Sequence, residues 1–213
     1  RYICTEDIVK YSKTGGGEGY SESLADAVKN VSTGGIITLL KDVSLDKTVN
    51  IVKNLTIDLN GHNITATNIR ALWISSGSVT ITGSGVVSAN KYGETSFTDS
   101  SSVIRVGSTA NDEQASLTIG HDVTVSSNHC YGVTVFGYNN GSDNAGQVLD
   151  LYGKITVTGN ASAVSGNGRA GNSKTKITVE DGAEISATHD CGIYHPQNGT
   201  MTVKAATIEG PTG

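Results

Sequence analysis

The residues with chemistry to offer fall into three groups. The first is a pair of matching turns: Asn128-His129-Cys130-Tyr131-Gly132 aligns with Thr188-His189-Asp190-Cys191-Gly192, so His129 and His189 hold equivalent places sixty residues apart. Imidazoles at equivalent places suggest metal ligation, which needs several ligands about 2 Å from one ion. The second group is polar and aromatic. Tyr138, Asn139, Asn140 and Asp143 lie in one Gly/Asn-rich stretch, Asn167 and Arg169 in another, and Tyr194, His195 and Gln197 in a third. Amides and carboxylates hydrogen-bond hydroxyls in two directions, and a ring packs on the apolar face of a sugar, so these nine are candidate glycan-binding residues. The third group is acidic: Asp58, Asp122, Asp150, Glu180 and Asp181. Glycoside hydrolysis needs two carboxylates facing one bond, and lyase chemistry needs carboxylates for Ca²⁺ with a base nearby.

Composition narrows the scaffold that must position them. The chain has 213 residues, with Gly 27, Pro 2, Phe 2, Met 1 and Trp 1. Abundant Ser, Thr, Asn and Val, with few large aromatics, suits many short strands joined by tight turns. Net charge is −5 with no basic block, giving no electrostatic support for nucleic-acid or anionic-membrane binding. No apolar run is long enough to span a bilayer, so membrane insertion is not expected. Three cysteines (Cys4, Cys130, Cys191) have no metal-type spacing, and Lys13-Thr14-Gly15-Gly16-Gly17 lacks the residue order of a phosphate loop. No cofactor is expected. Asn-X-Ser/Thr triplets are frequent, as they are by chance in a chain this rich in those residues, and imply no glycosylation.

Residues 1–18 read as an N-terminal arm containing Ile8, Val9 and Tyr11. Within 19–35, a capping helix is predicted over 21–31, with Ser21 or Ser23 as N-cap and Leu24, Ala27, Val28 and Val31 on one face, ending at Gly34-Gly35. From Ile36 onward the chain repeats one plan of three short strands. First strands centre on Leu55, Val79, Leu117, Leu149, Ile177 and Met201, at spacings of 24, 38, 32, 28 and 24 residues. Second strands carry an apolar residue eight positions on, at Val87, Val125, Val157 and Ile185, with Ile64 and Ile208 one position off that offset. Third strands lie at 72–74, 103–106, 133–135, 163–164 and Ile193. Self-similarity at this period marks a solenoid, because one repeat cannot bury its apolar face alone and stacked repeats can. Asn60-Gly61 and Asp181-Gly182 supply corners.

The three-strand coil, and the segment SLADAVKNVSTGGIITLLKDVSLDKTVNIVKNLTIDLNGHNIT, resemble the right-handed parallel β-helix proteins of the pectate-lyase-like superfamily, and in particular β-helix regions of large surface and secreted bacterial proteins. The resemblance covers Gly19 to Gly213. It implies an all-β, right-handed parallel β-helix over 36–213 with one short N-terminal capping helix; because the last coil stops before its third strand is complete, the helix is expected to be truncated or open at its C-terminal end. Because that superfamily hosts lyases, hydrolases, adhesins and tailspikes, it implies no single activity.

Insertions at 107–115, 137–147 and 165–175 follow third strands and should stack on one edge; another, at 90–101, precedes one. Besides the residues above they carry Asp112, Glu113, Asn144 and Asn172. Tyr194, His195 and Gln197 would line a groove there with Tyr138 and Phe136. Stacked strands are about 4.8 Å apart, and one coil, offering Asn160-Ala161-Ser162, separates His129 from His189. That is too far for one metal ion, so the turns read as a ladder and no metal is assigned. Cys130 aligns with Asp190 rather than Cys191, against a disulfide. Of the acids, only Asp150 and Glu180 are placed to approach, so no catalytic residue is assigned and the reading leans against an enzyme. The expected function is a non-catalytic extracellular or cell-surface adhesion module that binds glycans or another host or cell-wall ligand. The alternatives are part of a polysaccharide lyase or glycoside hydrolase, and a stalk or filament subunit associating end to end.

Overall fold

A computed structural model describes residues 6–90, 101–110, 112–137, 146–166 and 174–211. Three sheets run the length of the molecule. Sheet A contains β1 (Val9–Ser12), β2 (Glu18–Ser21), β3 (Gly35–Leu39), β6 (Leu55–Asp58), β9 (Gly77–Thr82), β12 (Ala115–Ile119), β15 (Val148–Leu151), β18 (Lys176–Val179) and β21 (Thr200–Val203). Sheet B contains β4 (Val43–Leu45), β7 (Ile64–Thr67), β10 (Gly85–Asn90), β13 (Val123–Ser127), β16 (Lys154–Val157), β19 (Glu184–Ala187) and β22 (Thr207–Glu209). Sheet C contains β5 (Val49–Ile51), β8 (Leu72–Ile74), β11 (Ser102–Val106), β14 (Tyr131–Val135), β17 (Val164–Gly166) and β20 (Ile193–Tyr194). Each coil visits A, B and C in turn, and equivalent strands of successive coils pair in parallel. This is a parallel β-helix.

The register follows from burying one apolar column per sheet position. In sheet A, Leu55, Val79, Leu117, Leu149, Ile177 and Met201 are direct partners from coil to coil, the same six residues that the sequence aligns. A neighbouring column runs Ile37, Ile57, Ile81, Ile119, Leu151, Val179 and Val203. Sheet C stacks Val49, Leu72, Ile104, Val133, Val164 and Ile193. Most of these side chains are inaccessible to solvent. A one-residue slip would turn each strand's apolar set outward, so the columns hold the register.

One expectation is corrected in sheet B. The column reads Val43, Ile64, Val87, Val125, Ile155, Ile185 and Ile208, so Ile155 and not Val157 meets Val125 and Ile185; Val157 partners Ser127 and Ala187 instead. The cause is a shorter corner. Four residues separate Ile119 from Thr124 and Val179 from Glu184, but only Tyr152 and Gly153 separate Leu151 from Lys154. A fixed offset from the first strand therefore overshoots by two. At the second coil's corner, Asn60 (φ 50°) and Gly61 (φ 83°) both take the left-handed conformation of a tight reversal.

The N-terminal end is closed by a small cap. β1 pairs antiparallel with both β2 and β3, extending sheet A by a hairpin. Helix α1 (Leu24–Asn30) packs on β1, β2 and β5 and buries Leu24, Ala27 and Val28. It is shorter than predicted, because Ser21 belongs to β2 and the N-cap is Ser23, whose hydroxyl accepts from the Asp26 N–H at 3.3 Å. It ends before the glycines, since Val31 leaves helical geometry with ψ 143°. At the other end, Met201, Val203 and Ile208 are 46%, 45% and 36% exposed, in contrast to their buried equivalents in the inner coils.

Candidate ligand-binding face

Sheet C carries the insertions. Two residues join β8 to the next sheet A strand, whereas eight follow β11, twelve follow β14 and nine follow β17. These three strands are consecutive neighbours in sheet C, so the three long connections leave one edge on successive coils.

The outward side of the same sheet carries a column of Asn50, Trp73, Arg105, Thr134, Ser165 and Tyr194, each the register partner of the next. These residues alternate with the inward apolar columns, as period-two geometry requires. Trp73 and Arg105 are half-buried, Thr134 and Ser165 are buried, and Tyr194 is 52% exposed. The column thus offers two accessible stations either side of a covered middle.

The first station is a stacked cluster. The Arg105 guanidinium carbon lies 5.4 Å from the Trp73 ring centroid and 4.8 Å from that of Phe136. Both distances suit cation–π attraction. Trp73 is fixed by its indole N–H, which donates to the Gly107 carbonyl at 2.8 Å. Gly107 has φ +89°, and a Cβ there would stand 2.1 Å from the Phe136 carbonyl oxygen, so only glycine lets the chain leave β11 at this point. Arg105 donates through Nη2 to Thr109 Oγ1 at 3.3 Å, while its Nε is buried without a partner. Arg70 lies alongside: its Nε donates to Ser102 Oγ at 3.3 Å, and that hydroxyl shares a 2.8 Å hydrogen bond with Thr134. Burial, and then the positive charge of Arg105, hold the Arg70 pKa down to about 10, against a smaller opposing pull from Cys130. Burial also lowers the Arg105 pKa.

The nine predicted residues divide. Tyr138, Asn139, Asn140, Asp143, Asn167 and Arg169 lie outside the described residues, as do Asn144 and Asn172. Tyr194 is exposed on the outward column. His195 follows it, half-buried, with both ring nitrogens buried and lacking hydrogen-bond partners; burial pushes its pKa below the ordinary value, opposed more weakly by the Gly199 backbone. Gln197 does not line an open groove. It is 5% exposed, its Nε2 donates to the Val135 carbonyl at 2.8 Å, and its side chain fills the space a Cβ on Gly166 would need. It reaches from the β20 coil past β17 to β14, and so clamps three coils. Phe136, expected beside these residues, instead lies against Arg105 and is 9% exposed.

The other groups lie elsewhere on the coils. His129 and His189 are two coils apart, with Gly159 packed on the backbone of His129 between them. Among the described residues no three of His, Cys, Asp and Glu converge. Cys130 and Cys191 are not joined in a disulfide; Cys130 is buried with its sulfur 3.2 Å from Ser127 Oγ. Asp150 is the register partner of Thr118 and Thr178, and Glu180 pairs with Lys204.

Reading the sequence missed the Trp73–Arg105–Phe136 cluster. The signal was present in the third strands: once 72–74 and 103–106 are aligned, Trp73 and Arg105 fall on the outward position between inward apolar residues. Comparison with known proteins adds no identity, since no family model, no curated protein and no solved structure matches the chain.

Proposed function

We propose that this chain is a non-catalytic extracellular module of a bacterial surface or secreted protein, with a β-helix of the pectate-lyase-like kind, that binds glycans along the outward side of sheet C and its insertion-bearing edge. The observation that carries this reading is the departure of three long connections from consecutive strands β11, β14 and β17, beside the outward column that holds Trp73 and Tyr194. A regular stack presents equivalent loops side by side, as solenoids do on their binding faces. Aromatic side chains with one polar end suit a surface that must meet both the apolar face and the hydroxyls of a sugar. Recognition is favoured over hydrolysis by the aromatic and polar residues of this face, and Glu180, one of the acids considered for hydrolysis, is already paired with Lys204.

A glycan array probed with the whole chain tests the reading. Binding to a defined set of glycans, weakened by Tyr194→Ala and by Trp73→Leu in correctly folded protein, is expected. Absence of binding to any glycan, or binding indifferent to both substitutions, would refute it.

A further inference from the structure

Arg105 is incompletely satisfied in a specific way. Its guanidinium carbon lies over the Trp73 and Phe136 rings, but few of its N–H donors are used. A guanidinium carries five N–H donors, all in its plane. Among the described residues one hydrogen bond is made, from Nη2 to Thr109, and no carboxylate pairs with it. Cation–π attraction acts on the charge and does not satisfy the N–H donors. Arg70 adds a second positive charge, connected through Ser102 and Thr134 to the strand position beside Arg105. Two neighbouring guanidiniums repel each other, and this occurs in a chain whose net charge is −5. An oxyanion on Arg105 would serve its unused donors. Arginine binds carboxylate or sulfate through paired N–H donors, and Arg105 has donors left for such a group.

We propose that Arg105, with Arg70 beside it, forms an oxyanion-binding site that takes the carboxylate or sulfate group of an acidic glycan. This rests on the glycan-binding reading and gives it a chemical preference: charged sugars over neutral ones. Trp73 orients Arg105 and would sense the ligand, because it stacks on the cation and is the only tryptophan in the chain.

Trp73 fluorescence provides the test. The full chain is titrated at constant ionic strength with sialyllactose, a heparin-derived hexasaccharide, lactose, maltohexaose and sodium sulfate. The acidic sugars should shift Trp73 emission and bind at least about tenfold more tightly than the neutral ones, the margin expected of charge-assisted hydrogen bonds. The sialylated and sulfated probes separate carboxylate from sulfate preference. Arg105→Gln should abolish the discrimination. Arg105→Lys keeps the charge without the planar fork and should retain only part of it; it carries the test if circular dichroism shows the Gln variant unfolded. Equal binding of acidic and neutral sugars, or undiminished discrimination in folded Arg105 variants, overturns the oxyanion site while leaving the glycan reading intact. A response to sulfate with no sugar binding sustains the oxyanion chemistry and overturns the acidic-glycan assignment together with the glycan reading. No response to any probe overturns both.

Discussion

Arg105 and Trp73 are register partners on adjacent parallel strands, and the guanidinium lies 5.4 Å from the indole centroid. Parallel pairing puts equivalent residues of successive coils side by side at about 4.8 Å. A cation and a ring at equivalent places are therefore held in contact by the backbone ladder before their own attraction acts. Replacing Arg105 by Ala should cost about 0.5–2 kcal/mol of stability, the range for cation–π contacts from exposed to desolvated settings. Urea denaturation followed by circular dichroism measures it, and no change would mean the stack is a by-product of register.

Gly107 is the more demanding position. With φ +89° and the Phe136 carbonyl 2.1 Å from where a Cβ would stand, Gly107→Ala should destabilise by roughly 1–3 kcal/mol from backbone strain alone, with the clash added. The same substitution at Gly182, also at positive φ (78°) but with nothing within 4 Å, should show the strain without the clash. Equal losses at the two sites would remove the argument from close approach.

The apolar columns predict a gradient along the axis. Leu117 is fully buried in a middle coil, and Leu117→Ala should cost about 2–5 kcal/mol. Met201 stands in the same column but is 46% exposed, and Met201→Ala should fall within about 0.5 kcal/mol of the parent. Chemical denaturation of the two variants tests the pairing, and comparable losses would contradict the packing described.

His195 gives the fold an acid sensitivity. Its folded-state pKa lies below 6.5, because burial disfavours the imidazolium. The unfolded chain therefore takes up the proton first. The stability tied to this group is present above about pH 6.5 and is lost as pH falls from there towards the folded-state pKa. Melting temperatures measured between pH 8 and pH 5 should drop less in His195→Gln than in the parent chain. An identical drop would place the acid sensitivity elsewhere.

The sequence made the stack readable because its inward columns are chemically uniform. Leu55, Val79, Leu117, Leu149, Ile177 and Met201 are all aliphatic, they recur, and recurrence reveals register. The error at Val157 arose where two inward positions, Ile155 and Val157, are both apolar, so a corner two residues shorter left no mark in the pattern. The outward face was harder to read. Asn50, Trp73, Arg105, Thr134, Ser165 and Tyr194 share a column without sharing a chemistry, and no periodicity announces them. The sequence places Gln197 on the lining of a groove; its burial depends on the Val135 carbonyl, 62 residues away in the chain, a contact no local pattern encodes.

The shortened corner at Tyr152-Gly153 has a practical meaning for protein engineering. Two residues fewer than in the corners above and below change the path of one turn, yet Leu149 and Ile155 still meet their partners on either side. Length differences are absorbed within a single coil and are not passed to the next. The corners are therefore natural grafting points, where a foreign peptide could be spliced into one coil and displayed at a fixed height along the axis while the remaining coils keep their alignment.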